Sequence, residues 1–372
     1  MTSKSLPLRV GLVGCGNISN AYFTHLKPFS SYAKITACAD LDMARAKAKA
    51  DEHGVGKACS VAELLADPEI DAVLNLTIPA AHVEVNLRAL KAGKHVYCEK
   101  PFSLSYKEGL KVLKEAQKRK LRVGCAPDTV LGAGIQTCRK LIDEGAIGTP
   151  VAATANMLCG GHETWHPSPE FYYEKGGGPL FDMGPYYLHA LITLLGPVRR
   201  VTGSARVTFP ERTITSQPKH GRIITVEVPT HISAVLDFTN GLVCNLTTSF
   251  DVKGPHSVPR IEIYGSEGTL QVPDPNGFGG QVRLGRPGKD WEEIPLSHSY
   301  SENTRGLGVA DMATAIISGR KHRANGEIAL HAVDIMESIH VASESGRHVE
   351  LTTVCERPAA MVAGLPAFTL DP

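Results

Sequence analysis

Along the first third of the chain, apolar runs alternate with stretches in which apolar and polar positions are mixed. The runs LRVGLVG (8–14), KITACAD (34–40), DAVLNLT (71–77), HVYCEKP (95–101) and LRVGC (121–125) have no polar face, the pattern of strands buried between two layers. The stretches between them, NISNAYFTHL, DMARAKAKADEHG and AAHVEVNLRALKAG, have helical character. Gly54 stands where a helix end needs left-handed backbone. Ser60 with Glu63, and Ser105 with Glu108, have the spacing of helix N-terminal caps. Strand–helix alternation of this kind predicts an α/β unit with a parallel sheet covered on both sides.

The pattern changes after residue 126. A helical segment, GIQTCRKLIDEG, leads into VAATANML, VTGSARVTF, IITVEV, HISAVLDF, LVCNLTTSFDV, RIEIYG and TLQV, which read as strands. Asn240-Gly241 lies between two of them and signals a hairpin. Two helices, GVADMATAIISG and EIALHAVDIMESIHVASESG, follow. The second part is therefore expected to be α+β with a mainly antiparallel sheet, and the Pro/Gly-rich stretch 273–288 a long surface loop. A chain of 372 residues also exceeds the roughly 250–300 at which single cores divide. The expected domains are 1–126 and 127–372.

Composition narrows the function classes. Lys+Arg total 39 against 38 Asp+Glu, and the only basic cluster is the short KEAQKRK, so nucleic-acid and membrane-surface binding gain no support. No apolar run approaches the ~18 residues of a membrane span. The nine cysteines are odd in number and form no Cys-x-x-Cys, which argues against a disulfide framework or a zinc–cysteine site and fits a reducing cytoplasm.

Two local motifs suggest chemistry. GLVGCGNIS places Gly14-x-Gly16-x-x-Ser19 between the first strand and the first helix, the context of a dinucleotide-binding turn. Asp40 ends the second strand, 21 residues after Ser19, where a carboxylate bonds ribose hydroxyls and repels a 2′-phosphate. NAD is thus favoured, and the nearby Arg45 keeps NADP open. Asp40 could instead cap the next helix, a task for which Asp42 is also available. The second motif is His162-Glu163-Thr164-Trp165-His166, which matches the His-Glu-x-x-His of zinc peptidases. Zinc ligation needs both histidines on one helix face. Gly160-Gly161 before the motif and Pro167-Ser168-Pro169 after it are poor helix flanks, and no third ligand stands out. A zinc hydrolase using His162 and His166 is a remote alternative to a loop.

GLVGCGNIS, DAVLNLTIPAAHVEVNLRALKAGKHVYCEKPFSLS, GGGPLFDMGPYYLHAL and IEIYGSEGTLQV together resemble the glucose–fructose oxidoreductase / inositol dehydrogenase / rhizopine catabolism (Gfo/Idh/MocA) family over nearly the whole chain. The resemblance implies a Rossmann domain joined to an open, mainly antiparallel sheet domain. It implies hydride transfer between NAD(P) and a sugar, cyclitol or similar alcohol, without a metal, by a homodimer or homotetramer. It assigns Gly14, Gly16, Asn17 and Ile18 to the pyrophosphate turn and Asp40 to the ribose. Thr77, Pro79 and His82 fall in a loop beside the cofactor. Glu99 and Lys100 match the Glu-Lys-Pro signature, with Lys100 as the catalytic lysine and Pro101 often cis. A half-buried lysine beside a nicotinamide cation is expected to have a lowered pKa.

In GGGPLFDMGPYYLHAL, Asp182, Tyr186 and His189 have i, i+4, i+7 spacing and are expected on one helix face, with Pro185 in a first turn. The family often has Asp-x-x-x-His here; this chain has Asp182-x-x-x-Tyr186. Tyr186 takes the position by register, while His189 has the better ordinary pKa, ~6.5 against ~10. Both are candidate proton carriers. The loop holding His162, Trp165 and His166 faces the substrate in the family. Asp128 is a further candidate for a sugar hydroxyl, or else a helix cap. The absence of an arginine cluster weighs against a polyanionic substrate, although Arg305 could approach the site. A fold alone never proves turnover, so a non-catalytic dinucleotide sensor is the rival reading.

Overall fold

A computed structural model describes residues 5–372. Six strands, β1 (Leu8–Val13), β2 (Ala33–Ala39), β3 (Ala58–Cys59), β4 (Ala72–Asn75), β5 (His95–Cys98) and β6 (Val123–Cys125), form the first sheet in the order β3-β2-β1-β4-β5-β6. Every neighbouring pair is parallel. β3 has only two residues and no apolar run to announce it. The helices α1 (Ser19–His25), α2 (Met43–His53), α3 (Val61–Ala66), α4 (His82–Lys91) and α5 (Tyr106–Arg119) connect the strands. Their ends follow local chemistry. Asp42 caps α2 by accepting from the Ala44 and Arg45 amides, which frees Asp40 from that task. Gly54 ends α2 at φ 70°, and Ser60 with Glu63 makes a reciprocal capping box on α3. Ser105 caps α5 through the Glu108 amide.

Helix α6 (Ala133–Asp143) leads to β7 (Pro150–Leu158), α7 (Gly178–Asp182), α8 (Gly184–Leu195) and β8 (Val198–Arg206). Strands β9 (Glu211–Thr213) and β10 (Ile223–Thr225) pair only with each other. Strands β11 (His231–Phe238), β12 (Val243–Ser249), β13 (Ile261–Gly265), β14 (Thr269–Val272), β15 (Val282–Gly285) and β16 (Glu292–Ile294) precede α9 (Leu307–Ser318), α10 (Gly326–Ser345) and β17 (Val349–Glu350). The second sheet runs β16-β15-β14-β13-β7-β12-β11-β8-β17. It is antiparallel except for the parallel pair β7–β12, so it is mixed.

Two expectations need correction. Residues 273–288 are not a long loop: Val282–Gly285 is β15, and Phe278 is buried with its carbonyl accepting from the Gly134 amide. Gly279 there serves close packing, since a Cβ on it would lie 2.4 Å from the Ser301 carbonyl oxygen. The expected single helix through Asp182 and His189 is broken at Met183, so Asp182 ends α7 while Tyr186 and His189 belong to α8. The sequence Gly184-Pro185 explains the break, because proline cannot donate into the preceding turn.

The end of the chain returns to the first sheet. The Cys125 amide donates to Ala324 O, and Gly124 bridges Asn325, closing the free edge of β6. Helix α10 then packs against α5, α8 and β8, joining the two layers.

Candidate active site

The turn after β1 has a shape that only glycine fits. Gly14 has φ +98°, and a Cβ there would sit 2.7 Å from the Leu76 carbonyl carbon. Nothing lies within 4 Å of the Cβ position on Gly16, which leaves room for a phosphate to approach its backbone. Asn17 is exposed and Ile18 half-buried at this opening. Asp40 holds the turn from the next strand: its Oδ2 accepts from the Cys15 amide at 2.8 Å and its Oδ1 from the Asp42 amide at 2.9 Å. Arg45 stands 3.6 Å from the same carboxylate. The turn thus leaves the Gly16 backbone open, with the Asp40 carboxylate held beside it.

A buried polar network fixes the loops after β4 and β5. Asn75, fully buried, donates to His82 O at 3.1 Å and to Asn86 at 2.7 Å, and accepts from the Thr77 hydroxyl at 2.7 Å. His82 joins the two loops, with Nδ1 2.7 Å from Pro101 O and Nε2 3.0 Å from Thr77 O. Both ring nitrogens face carbonyl oxygens, an arrangement that favours the doubly protonated ring. Burial alone would lower its pKa, but the Cys98 sulfur and the two carbonyls push it up to about 9. Pro79 opens the short turn leading into α4, and the Lys100–Pro101 peptide is cis.

The reactive groups gather at the end of β5. Glu99 accepts from the buried Tyr22 hydroxyl at 2.8 Å and from the Lys100 amide at 2.9 Å. Lys100 Nζ donates to Asp182 Oδ1 at 2.9 Å and to Asp182 O at 2.8 Å, a contact spanning 82 residues of sequence. The Tyr186 ring lies 5.3 Å from Nζ. On the other oxygen of Asp182, His162 Nε2 lies at 3.1 Å, and Trp165 Nε1–H donates to His162 Nδ1 at 3.2 Å. An indole N–H can only donate, so Nδ1 accepts and the ring proton sits on Nε2, facing Asp182. Tyr172 packs edge-on to His162 at 4.3 Å, and burial followed by the Asp182 charge pushes its phenol up to about 12.

Without the nicotinamide cation beside it, the lysine shifts the other way. Burial alone would lower the Lys100 pKa, but the Asp182 carboxylate outweighs it and raises the ammonium above its ordinary value. Burial likewise would raise Asp182, yet Lys100 and His162 hold it at about 2. In the free protein the pair is ionic.

His189 is not part of the cluster. It is buried within α8, its Nδ1 donates to Pro185 O at 2.7 Å, its Nε2 has no partner, and burial drives its pKa down to about 4. Asp128 does not face a sugar either. Its buried Oδ2 accepts from the Gly306 and Gly308 amides at 2.8 and 3.1 Å, so it caps α9 and not the helix that follows it. In the His-Glu-x-x-His segment, Glu163 turns inward to Arg212 and the Tyr173 hydroxyl, while Arg212 also pairs with Asp251. His162 is engaged by Asp182, and His166 accepts from the Ser168 amide at 3.0 Å. The segment is a loop without a helix, and the described residues contain no group of three or more His, Cys, Asp or Glu arranged for a metal.

Several residues here escaped the sequence reading. Asn75 had a signal, as a polar residue inside a solid apolar strand. Tyr22, Tyr172 and Arg212 had none that spacing could reveal.

Comparison with known proteins agrees with the motifs. Residues 8–126 match the model of the oxidoreductase family with an NAD-binding Rossmann fold, and residues 135–271 match the Gfo/Idh/MocA C-terminal domain. The chain belongs to the Gfo/Idh/MocA family. Inositol 2-dehydrogenase 3 of Saccharopolyspora erythraea is 28% identical over 299 residues, 77% of this chain and 80% of that protein. The solved NAD binding oxidoreductase from Klebsiella pneumoniae has a TM-score of 0.83 at 22% identity, covering 94% of this chain and 100% of that one. Levoglucosan dehydrogenase in complex with NADH and levoglucosan has a TM-score of 0.80 at 20% identity, covering 93% and 100%. The two structural likenesses show that the fold is shared over 93–94% of the chain.

Proposed function

We propose that the chain transfers a hydride between NAD and a secondary alcohol or hemiacetal of a sugar, cyclitol or related polyol. The observation that carries this reading is the Lys100–Asp182–His162 array, with 2.9 and 3.1 Å contacts, at the carboxyl end of β5 beside the glycine turn. The names of the relatives, inositol 2-dehydrogenase and levoglucosan dehydrogenase, support a polyhydroxylated substrate.

When bound, NAD would supply the hydride acceptor and would be held by Gly14, Gly16, Asn17, Ile18 and Asp40 on one side and Thr77 and Pro79 on the other. The buried His82 and Glu99, expected to touch the cofactor, instead fix the loops behind it. The protein's task is the proton. Lys100 is the group that takes it from the substrate oxygen, and it must first lose the one that Asp182 stabilises. Asp182 stays ionised and orients Lys100 and His162 together. His162, arriving from the loop, supplies the imidazole that the family often places four residues after the aspartate; its Nε2–H fixes the second oxygen of Asp182, a place His189 does not reach. Tyr186 covers the lysine and limits its solvation. Trp165 and His166 extend the same wall toward solvent, where Trp165, 60% exposed, can stack on a sugar ring.

Residues 1–126 would bind the cofactor and 127–372 the substrate and a second subunit. The outer face of the second sheet, with Thr154, Val235, Val243 and Tyr264, remains half-exposed and is the proposed contact of a homodimer or homotetramer, which light scattering would measure. Nine free thiols suit a reducing cytoplasm.

The test is NADH formation across aldoses, cyclitols and anhydrosugars with NAD and NADP. Lys100→Ala should lower kcat by about 10²–10⁴ while leaving the NADH Kd within about threefold. Tight NADH binding with no turnover on the whole panel would favour the sensor, and near-normal kcat in the variant would remove Lys100 from its role.

A further inference from the structure

Arg305 is a guanidinium left without a side-chain partner among the described residues. It precedes α9, and its backbone is fixed on both sides: its own amide donates to Asn303, and the next amide, of Gly306, donates to Asp128. The side chain is half-buried, yet among the described residues none of its nitrogens makes a hydrogen bond or ion pair. Most other part-buried arginines are engaged: Arg139, Arg212, Arg320, Arg323 and Arg357 each hold carboxylates or carbonyls.

Its charge is nevertheless accommodated. Burial disfavours it, but Tyr186, Glu99, Tyr22 and Asp128 all act on it from a distance and keep it ionised. None of them occupies its donors: Glu99 is engaged by Tyr22 and the Lys100 amide, and Asp128 by the Gly306 and Gly308 amides. The remaining acidic group nearby, Asp274, stands 3.6 Å from Arg260.

Arg305 also lines a cavity of about 440 Å³ together with Asp274, Asn276, the backbone of residues 277–280, Ser301 and Asn303. The same side chain thus lies within electrostatic reach of Tyr186 and Glu99 and lines a polar chamber of the size small ligands occupy.

We propose that Arg305 binds a carboxylate on the substrate, so that the enzyme acts on a polyhydroxylated acid, such as an aldonic or uronic acid, in preference to a neutral sugar. The planar fork of a guanidinium matches a carboxylate by two parallel hydrogen bonds. A single arginine fits a monoanion and not a polyphosphate. The proposal rests on the dehydrogenase reading for the position of the reacting hydroxyl at Lys100, but not for the binding it predicts.

The test is calorimetric titration of the protein–NADH complex with matched pairs, D-gluconate against D-sorbitol and D-glucuronate against D-glucose, alongside turnover with NAD. At least one acid should bind about tenfold or more tightly than its neutral partner. Arg305→Gln should abolish that preference while leaving NADH affinity unchanged, and Arg305→Lys, which keeps the charge but loses the fork, should retain part of it. Equal or tighter binding of the neutral members, no binding by any acid, or an equal loss for both members in the glutamine variant would overturn the proposal. Acid binding that depends on Arg305 without NADH formation on any substrate would uphold it while refuting the dehydrogenase reading.

Discussion

At Lys100 and Asp182, two ionisable groups set each other's state. The carboxylate at 2.9 Å keeps the lysine protonated, so the neutral amine needed for alcohol oxidation forms only at higher pH. Asp182→Asn removes the charge that favours the ammonium. The rising limb of kcat/KM against pH should therefore move to lower pH, by about 1–3 units, even as the rate itself drops. A limb that stays in place would mean that another group is titrating. His189 tests the opposite claim. Its pKa near 4 and its bond to Pro185 O describe a packed helix histidine, so His189→Leu should keep kcat within about threefold. A hundredfold loss would return it to the reaction. Lys100 was legible because its motif is local. The His162 contact with Asp182 was not, because an irregular loop spans the 20 residues between them.

At the level of elements, the local signals held where a few neighbouring residues decide the geometry. The Ser60–Glu63 box, the Asp42 cap and the Gly54 end all form within one turn of chain. They failed where a distant backbone intervened. Asp128 looked like a cap for the helix that follows it, yet it caps α9, with its amide contacts 178 and 180 residues away. Asp128→Ala would leave the Gly306 and Gly308 amides unpaired in the interior. The expected cost is about 2–4 kcal/mol in urea unfolding, with NADH affinity nearly unchanged. Helix periodicity also carried Asp182, Tyr186 and His189 onto one face; despite the break at Met183 the first two meet at Lys100, while His189 turns into the core.

Over the whole molecule, buried acids are paired with bases, and the Lys100–Asp182 pair joins the two parts of the chain. Asp182 is held at about 2 by Lys100 and His162, and Asp311 is lowered by Arg323 and Arg320 against burial, while Arg323 also holds Asp371 near the chain end. Groups whose folded pKa lies below the ordinary carboxyl value of about 3.9 contribute stability that is complete above that pH and lost as pH falls toward the folded value. The urea midpoint should thus drop between about pH 4 and pH 2, with Asp182 alone contributing on the order of 2 kcal/mol. Asp182→Asn should flatten part of that slope. A midpoint independent of pH across this window would show that the pairs do not form in solution.

The amino-acid order by itself determined the strand–helix alternation, the glycine turn, the helix caps and the motif around Lys100, because each depends on residues within a few positions of one another. Tertiary structure alone decided that Asp182 meets both Lys100 and His162, that His189 turns into the core, that Asp128 serves α9 and that Arg305 keeps its donors free. These are contacts between segments whose relative placement comes from burying two sheets against shared helices, a collective outcome that no local pattern encodes.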